Sequence, residues 1–132
     1  MRVTKKKELV VTKKAYISKN PLSQALRVQA TEWLFCSGQL GIDPKTGKLV
    51  EGVEAQTVQV LENLKAVIEA GGSSLDRVVK TTVFFTDSAE APVINMVYRR
   101  YFQDPPPARS AVQVVDLGQG AGVEIECLAF VE

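Results

Sequence analysis

One arginine in the C-terminal third is the first candidate for chemistry. Arg109 comes shortly after the rigid run Pro105-Pro106-Pro107 and begins a segment with strand character, which would hold its guanidinium in one place. A planar, permanently charged guanidinium can bind a carboxylate through two parallel hydrogen bonds. The alternative is a salt bridge to an acidic residue at the edge of a sheet, and the pattern alone does not decide between the two.

Two glutamates in the last apolar segment are the second candidate. Glu124 and Glu126 alternate with apolar residues from Val123 onward, so both carboxylates share one face of a predicted strand with Leu128 and Phe130. Such a mixed face indicates that one carboxylate lies in a cleft with a partner. An equally weighted alternative is a pair of charges that keeps a strand from aggregating with its neighbours.

The composition removes several other mechanisms. The 132 residues contain no histidine, which excludes Ser-His-Asp and Cys-His catalysis and any histidine-ligated metal site. The two cysteines, Cys36 and Cys127, stand singly in apolar segments and are predicted to be reduced core residues. The glycines from Gly118 to Gly122 precede a strand and not a helix, so no phosphate-binding loop is expected. We therefore predict no metal site.

Charge is concentrated at the amino terminus. Residues 1–20 carry seven basic groups against one acid, Glu8. This lysine-rich pattern is compatible with a nucleic-acid-binding or membrane-surface arm, but no aromatic residues interleave the lysines as in single-strand binders. We favour a solvated, partly frayed arm over residues 1–14 and expect no nucleic-acid or membrane partner. With no membrane-spanning run or signal peptide, a cytoplasmic location is predicted, with a mitochondrial one as the alternative.

The periodicities define the elements that would position these residues. Helical spacing predicts a helix from Glu54 to Ala70, which Gly71-Gly72 ends, and a second helix after Asp87 that ends at the prolines. Strands are predicted over 25–30, 31–38, 78–85, 109–115 and 123–131. The order indicates an α+β domain spanning residues 1–132, with two helices on one face of a mixed sheet of about six strands. The other sheet face would be covered by another copy of the chain.

Several motifs in this order resemble the RidA/YjgF family of 2-iminobutanoate/2-iminopropanoate deaminases. The resemblance extends from about Pro21 to the C-terminus and is most specific near the candidate residues. Its motifs are Ser37-Gly38-Gln39, Asp43-Pro44-Lys45-Thr46-Gly47, Asn63-Leu64-Lys65-Ala66-Val67, Val79-Lys80-Thr81-Thr82-Val83-Phe84, Asn95 with Tyr98 and Phe102, Pro107-Ala108-Arg109-Ser110, and Val123-Glu124-Ile125-Glu126.

The resemblance implies a chorismate-mutase-like homotrimer with active sites between subunits and no cofactor. Arg109 would bind the carboxylate of a 2-imino acid, and Glu124 would position or activate the attacking water. The backbone at Ala111 would hydrogen-bond the substrate. The remaining residues implied to line or support the pocket are Ser37, Gly38 and Asn95.

The departure from the family pattern that matters most is at residues 20–24. Relatives commonly carry Gly-Pro-Tyr-Ser-Gln where this chain has Asn20-Pro21-Leu22-Ser23-Gln24, so Leu22 replaces a tyrosine that closes over the substrate. Two other functions stay open, the first because of this replacement and the second because of the basic amino-terminal arm. One is a non-catalytic, small-ligand-binding or chaperone-like relative; the other is an RNA-acting relative, either an endoribonuclease or a translation inhibitor.

Overall fold

The computed structural model describes residues 7–131, which form eight strands, two α-helices and two 3-10 turns. The helices are α1 (Val53–Ala70) and α2 (Ala91–Tyr101). The strands are β1 (Lys7–Val10), β2 (Ala25–Val28), β3 (Glu32–Leu40), β4 (Ile42–Asp43), β5 (Lys48–Leu49), β6 (Val78–Phe85), β7 (Ala108–Gln113) and β8 (Val123–Val131).

The main sheet is mixed and has four strands in the order β3-β8-β6-β7. Only the β6–β7 pair is parallel, because α2 connects these two strands as a crossover. Strands β1 and β2 form a separate antiparallel pair, and β4 and β5 form another on either side of the Asp43-Pro44-Lys45-Thr46-Gly47 motif. The prediction of about six strands in one sheet was therefore wrong in its count. Side-chain alternation identifies a strand but not its partner, and two-residue strands leave too little pattern to detect.

The amino-terminal prediction also needs correction. Residues 1–6 of the predicted arm lie outside the described residues, but Lys7–Val10 is not frayed, since it pairs with β2 in register. Lys13 and Lys14 are exposed, as expected of a solvated segment. The lysine-rich composition concealed the short strand, because charged residues are poor strand indicators.

Both predicted helices are confirmed. The face of α1 that carries Val60, Leu61, Leu64 and Ile68 is completely buried, and the helix ends at Gly71, followed by Gly72 with φ at +85°. A positive φ here suits glycine, which has no Cβ to clash.

The start of α2 differs in detail from the prediction. The Asp87 carboxylate accepts a hydrogen bond from the Ala89 amide at 3.0 Å and so caps a 3-10 turn over Ser88–Glu90. Helix α2 then begins at Ala91 with Pro92 in its first turn, where a missing N–H costs nothing. Glu90 makes no side-chain cap hydrogen bond, so Asp87 and Glu90 do not form a capping box.

Both helices pack on one face of the four-stranded sheet and enclose the core, in which Cys36 and Cys127 are buried, free thiols as predicted. The opposite face, here called the open face, carries Phe35 with 80% of its surface exposed and Val112 with 45% exposed. Within residues 7–131, no helix is long and apolar enough to cross a bilayer. The cytoplasmic location itself stays a prediction.

Candidate active site

Arg109 lies on β7 with its side chain under α2. Its neighbour on β6 is Thr81, a fully buried residue of the helix-covered face. Arg109 is itself only 8% exposed, and its Nη1 donates a hydrogen bond to Asn95 Oδ1 at 2.8 Å. The guanidinium carbon lies 4.9 Å from the centroid of the Tyr98 ring, within the range of a cation–π interaction.

Tyr98, named above only as part of a family motif with Asn95 and Phe102, holds the arginine in place. Its hydroxyl is hydrogen-bonded to Thr81 Oγ1 at 2.7 Å, so the ring cannot turn away from Arg109 without breaking a buried bond. Burial raises the pKa of Tyr98 to about 12, which keeps the hydroxyl neutral. Asn95 and Tyr98 are three positions apart on α2 and therefore lie on the same face. That spacing is the sequence signal that could have identified Tyr98.

The charge of Arg109 is not neutralised within the described part of the chain. None of the carboxylates among residues 7–131 forms a salt bridge with it, and its buried Nε atom has no hydrogen-bond partner there. Burial lowers the pKa of the Arg109 guanidinium and the charge of Arg99 lowers it further, whereas Tyr98 opposes this. Arginine nevertheless remains protonated at neutral pH. The alternative of a salt bridge to an acid at the sheet edge therefore finds no partner among residues 7–131.

Arg109 opens into a small pocket of about 160 Å³. Asn95 and Ala111 line it, as the resemblance implied, while one wall is apolar. Asn20 also lines the pocket and was not predicted, because nothing in its spacing distinguishes it from a loop residue. The complete lining is Asn20, Val83, Phe85, Ala91, Ile94, Asn95, Arg109 and Ala111. We call Arg109, Asn95, Tyr98 and this pocket the arginine half.

Glu124 lies on β8 beside Phe84 of β6, and its carboxylate packs against Gly38. A Cβ added to Gly38 would come within 2.0 Å of Glu124 Oε2, so only glycine leaves room for this carboxylate. A register shift in β3 between Cys36 and Gln39 brings Gly38 to this position. Ser37 is exposed beside it, in a depression on the open face that Glu126 also lines. We call Glu124 and Gly38 the glutamate half.

The two halves lie on opposite faces of the sheet. Arg109 pairs with Thr81 and Glu124 with Phe84. Residues 81 and 84 of one strand are an odd number of positions apart, so their side chains point to opposite faces. Leu22 belongs to neither half, because it lines a different and larger cleft. One chain therefore brings Arg109, Asn95 and Ala111 together at the small pocket. It brings Glu124, Gly38 and Ser37 together at a separate place on the open face.

A family model described as "Endoribonuclease L-PSP" matches residues 12–131. The chain belongs to the RidA/YjgF family. The name of the model is a description of the family and does not establish the activity of this member.

Two curated RidA relatives carry deaminase names. Reactive Intermediate Deaminase A, chloroplastic, from Arabidopsis thaliana is 46% identical over 125 residues, which cover 94% of this chain and 66% of that protein. The 2-iminobutanoate/2-iminopropanoate deaminase of Mus musculus is 41% identical over 124 residues, covering 93% of this chain and 90% of that protein.

A solved RidA-family structure agrees with the fold. The crystal structure of Escherichia coli TdcF with bound serine superposes with a TM-score of 0.74 at 35% identity, covering 95% of this chain and 99% of that one. Serine is a small α-amino acid with a free carboxylate, so this neighbour shows that the RidA fold can bind a ligand of that size.

Proposed function

We propose that this RidA-family protein hydrolyses reactive 2-imino acids to 2-keto acids and ammonia. The observation that supports this most directly is the buried guanidinium of Arg109, which the described residues contact only through neutral groups. A buried charge without an opposite charge is costly. A site that keeps such a cation is suited to an anionic ligand.

The free atoms of the guanidinium fit a carboxylate. Asn95 occupies Nη1, which leaves Nε and Nη2 on one edge of the planar group. Two parallel hydrogen bonds from that edge would bind the substrate carboxylate in a single orientation. Ala111 stands on β7, the edge strand of the sheet, where its backbone can hydrogen-bond the same substrate.

Catalysis requires that Glu124 reach the bound imine, and we propose that an adjacent copy supplies it. Within one chain the sheet separates Glu124 from the Arg109 pocket. The open face, with Phe35 and Val112 exposed, provides an apolar surface for other copies. The proposed assembly is the homotrimer implied by the family resemblance, with each site formed by the arginine half of one copy and the glutamate half of another.

In the proposed reaction, Glu124 orients a water molecule and accepts its proton as oxygen adds to the C=N carbon. Glu124 returns this proton to the nitrogen to give a carbinolamine. Transfer of the hydroxyl proton to the nitrogen then breaks the C–N bond and releases ammonia and a 2-keto acid. An imine is already electrophilic, so a fixed carboxylate, a placed water and proton transfer suffice, and no cofactor is required. The small pocket with its apolar wall suits short aliphatic substrates such as 2-iminopropanoate and 2-iminobutanoate.

The test generates these imines in situ with an amino-acid oxidase and follows their capture by semicarbazide. The parent protein should compete with semicarbazide and release the keto acid. Arg109→Lys keeps the charge but loses the two-pronged geometry, so KM should rise by about tenfold or more. Arg109→Ala should also fail to bind the non-reactive analogue 2-oxobutanoate.

The same assay separates the rival functions. A non-catalytic binder would bind 2-oxobutanoate without accelerating hydrolysis. An RNA-acting protein would bind RNA with an affinity that falls steeply as salt is added. Parent-level turnover by Arg109→Ala would show that the pocket is not the site.

A further inference from the structure

A second, larger cleft adjoins the Arg109 pocket. It has a volume of about 910 Å³ and lies between the loop of residues 17–24 and the C-terminal end of α2, within the size range of small-molecule sites. Asn20 lines both this cleft and the small pocket. A ligand bound to Arg109 could therefore extend past Asn20 into the cleft.

Hydrogen bonds fix the loop that forms one wall of the cleft. The backbone N–H of Ser23 donates to Pro107 O at 3.1 Å, and the Ser23 hydroxyl donates to Pro106 O. The Gln24 amide donates to Tyr16 O at 2.9 Å and accepts from the Thr12 amide at 2.7 Å. These hydrogen bonds hold the loop, and therefore this wall of the cleft, in a defined position.

The cleft is positively charged. It is lined by Lys7, Lys19 and Arg99 but by only one acid, Asp104. Lys7 already donates to the Asp76 carbonyl at 2.6 Å. Arg99 and Lys19 are exposed, and neither has a carboxylate partner among residues 7–131; Arg99 donates only to the Lys19 carbonyl, at 3.3 Å.

Helix geometry places Arg99 next to the arginine half. Asn95 and Arg99 are four positions apart on α2, so they lie on one face, one turn from each other. The charge of Arg99 adds to the effect of burial in lowering the pKa of Arg109, which shows that the two guanidinium groups lie within electrostatic range. Two neighbouring cations with no acidic partner in the described part of the chain suit a ligand with two anionic groups.

We propose that the cleft is a subsite for the distal carboxylate of dicarboxylic 2-imino acids, with two or three carbons between the carboxylates. The proximal carboxylate binds Arg109, the carbon chain passes Asn20, and Arg99 and Lys19 bind the distal carboxylate. Leu22 is among the residues that line this cleft. This inference rests on the proposed deaminase function.

The experiment compares hydrolysis of imines made by oxidation of glutamate and aspartate with hydrolysis of imines from alanine and 2-aminobutyrate. Arg99→Gln should lower kcat/KM by about tenfold for the dicarboxylic imines and leave the monocarboxylic ones nearly unchanged. Arg100→Gln is the matched control, because Arg100 is the next residue but points to Glu54, at 3.6 Å. It should change neither class.

Two results would overturn the subsite. One is an equal loss for both substrate classes in Arg99→Gln, which would mean that Arg99 acts only through Arg109. The other is a changed oligomeric state of Arg99→Gln in sedimentation, which would make the cleft a contact between copies.

Calorimetry keeps the test independent of turnover. If the parent hydrolyses no imine, the proposed function fails, but the subsite is still tested with the stable diacid 2-oxoglutarate against 2-oxobutanoate. Tighter binding of 2-oxoglutarate that disappears in Arg99→Gln supports the subsite. Equal binding of the two keto acids by the parent overturns it.

Discussion

The arginine half and the glutamate half are built in different ways. Arg109 is buried, its Nη1 is bonded to Asn95, and Tyr98 supports it through a ring that Thr81 fixes. Glu124 is only half-buried on the open face, and its carboxylate occupies the space that a Cβ at Gly38 would fill. A single chain thus completes the anion-binding part of the proposed site, while the proposed water-activating part depends on assembly.

The physical reason lies in the cost of burying charge. A guanidinium under a helix must be stabilised by dipoles and a ring face before a ligand arrives, or folding would carry an uncompensated cation. A carboxylate near solvent requires no such support. Its environment can therefore be completed later by a neighbouring copy.

The largest expected effect comes from disrupting the contact that we propose between copies at the open face. Phe35→Glu places a charge where we propose that copies meet, so the assembly should dissociate and imine turnover should fall to background. Each monomer should stay folded, because the Phe35 side chain is 80% exposed and such substitutions change stability by only about 0.5 kcal/mol or less. Sedimentation, circular dichroism and the semicarbazide assay measure the three outcomes.

Val67→Glu is the control for that experiment. Val67 is also partly exposed, at 40%, but it lies on α1 in the helix layer. It should alter neither mass nor turnover. A monomeric Phe35→Glu protein with full activity would mean that one chain suffices for turnover. That result would contradict the proposal that two copies share the site.

An intermediate effect is expected at the glutamate half. Glu124→Gln keeps the shape but cannot accept a proton, so kcat should fall by about 10²-fold with little change in KM. Gly38→Ala should reproduce part of this loss with the carboxylate still present, because the added Cβ would displace Oε2.

Glu126→Gln serves as the matched control, because Glu126 is exposed on the same face of β8, whereas the three atoms nearest to a Cβ added at Gly38 all belong to Glu124. Unchanged turnover in Glu124→Gln would refute the role proposed for Glu124, whatever Gly38→Ala does.

The smallest effect is expected from Tyr98→Phe, which keeps the ring beneath Arg109 but removes the hydroxyl. Loss of the hydrogen bond to Thr81 should cost about 1 kcal/mol of unfolding free energy at pH 7. Because the pKa of Tyr98 is raised from 10.0 to about 12, its contribution is fully present below pH 10 and is lost as the pH rises through about 12. Tyr98→Phe should therefore lose less unfolding free energy than the parent as the pH rises from 10 to about 12. Urea unfolding at several pH values measures this difference.

Tyr101→Phe provides the comparison, since Tyr101 is hydrogen-bonded to Glu62 on the surface and its pKa is also raised to about 12. It should leave the KM for imines unchanged, whereas Tyr98→Phe should raise it slightly through a looser Arg109. A KM unaffected by Tyr98→Phe would assign Tyr98 to stability alone.

The sequence by itself determined the elements and the residue types of the site. Helical spacing located α1 and α2, and β-branched and aromatic residues located β6. Alternation located β8 and placed Glu124 on the face opposite Ile125. The absence of histidine excluded histidine-based catalysis and histidine-ligated metal sites. These are local properties, because the spacing of apolar side chains within a short segment indicates a helix or a strand.

Only the tertiary structure decided which of those residues meet. Strand pairing set Arg109 beside Thr81 and Glu124 beside Phe84, and so on opposite faces of the sheet. It also placed Tyr98 against Arg109 and Asn20 at the pocket, and it moved Leu22 into the neighbouring cleft. Such contacts join residues far apart in the chain, and they follow from register and packing, which no local pattern encodes.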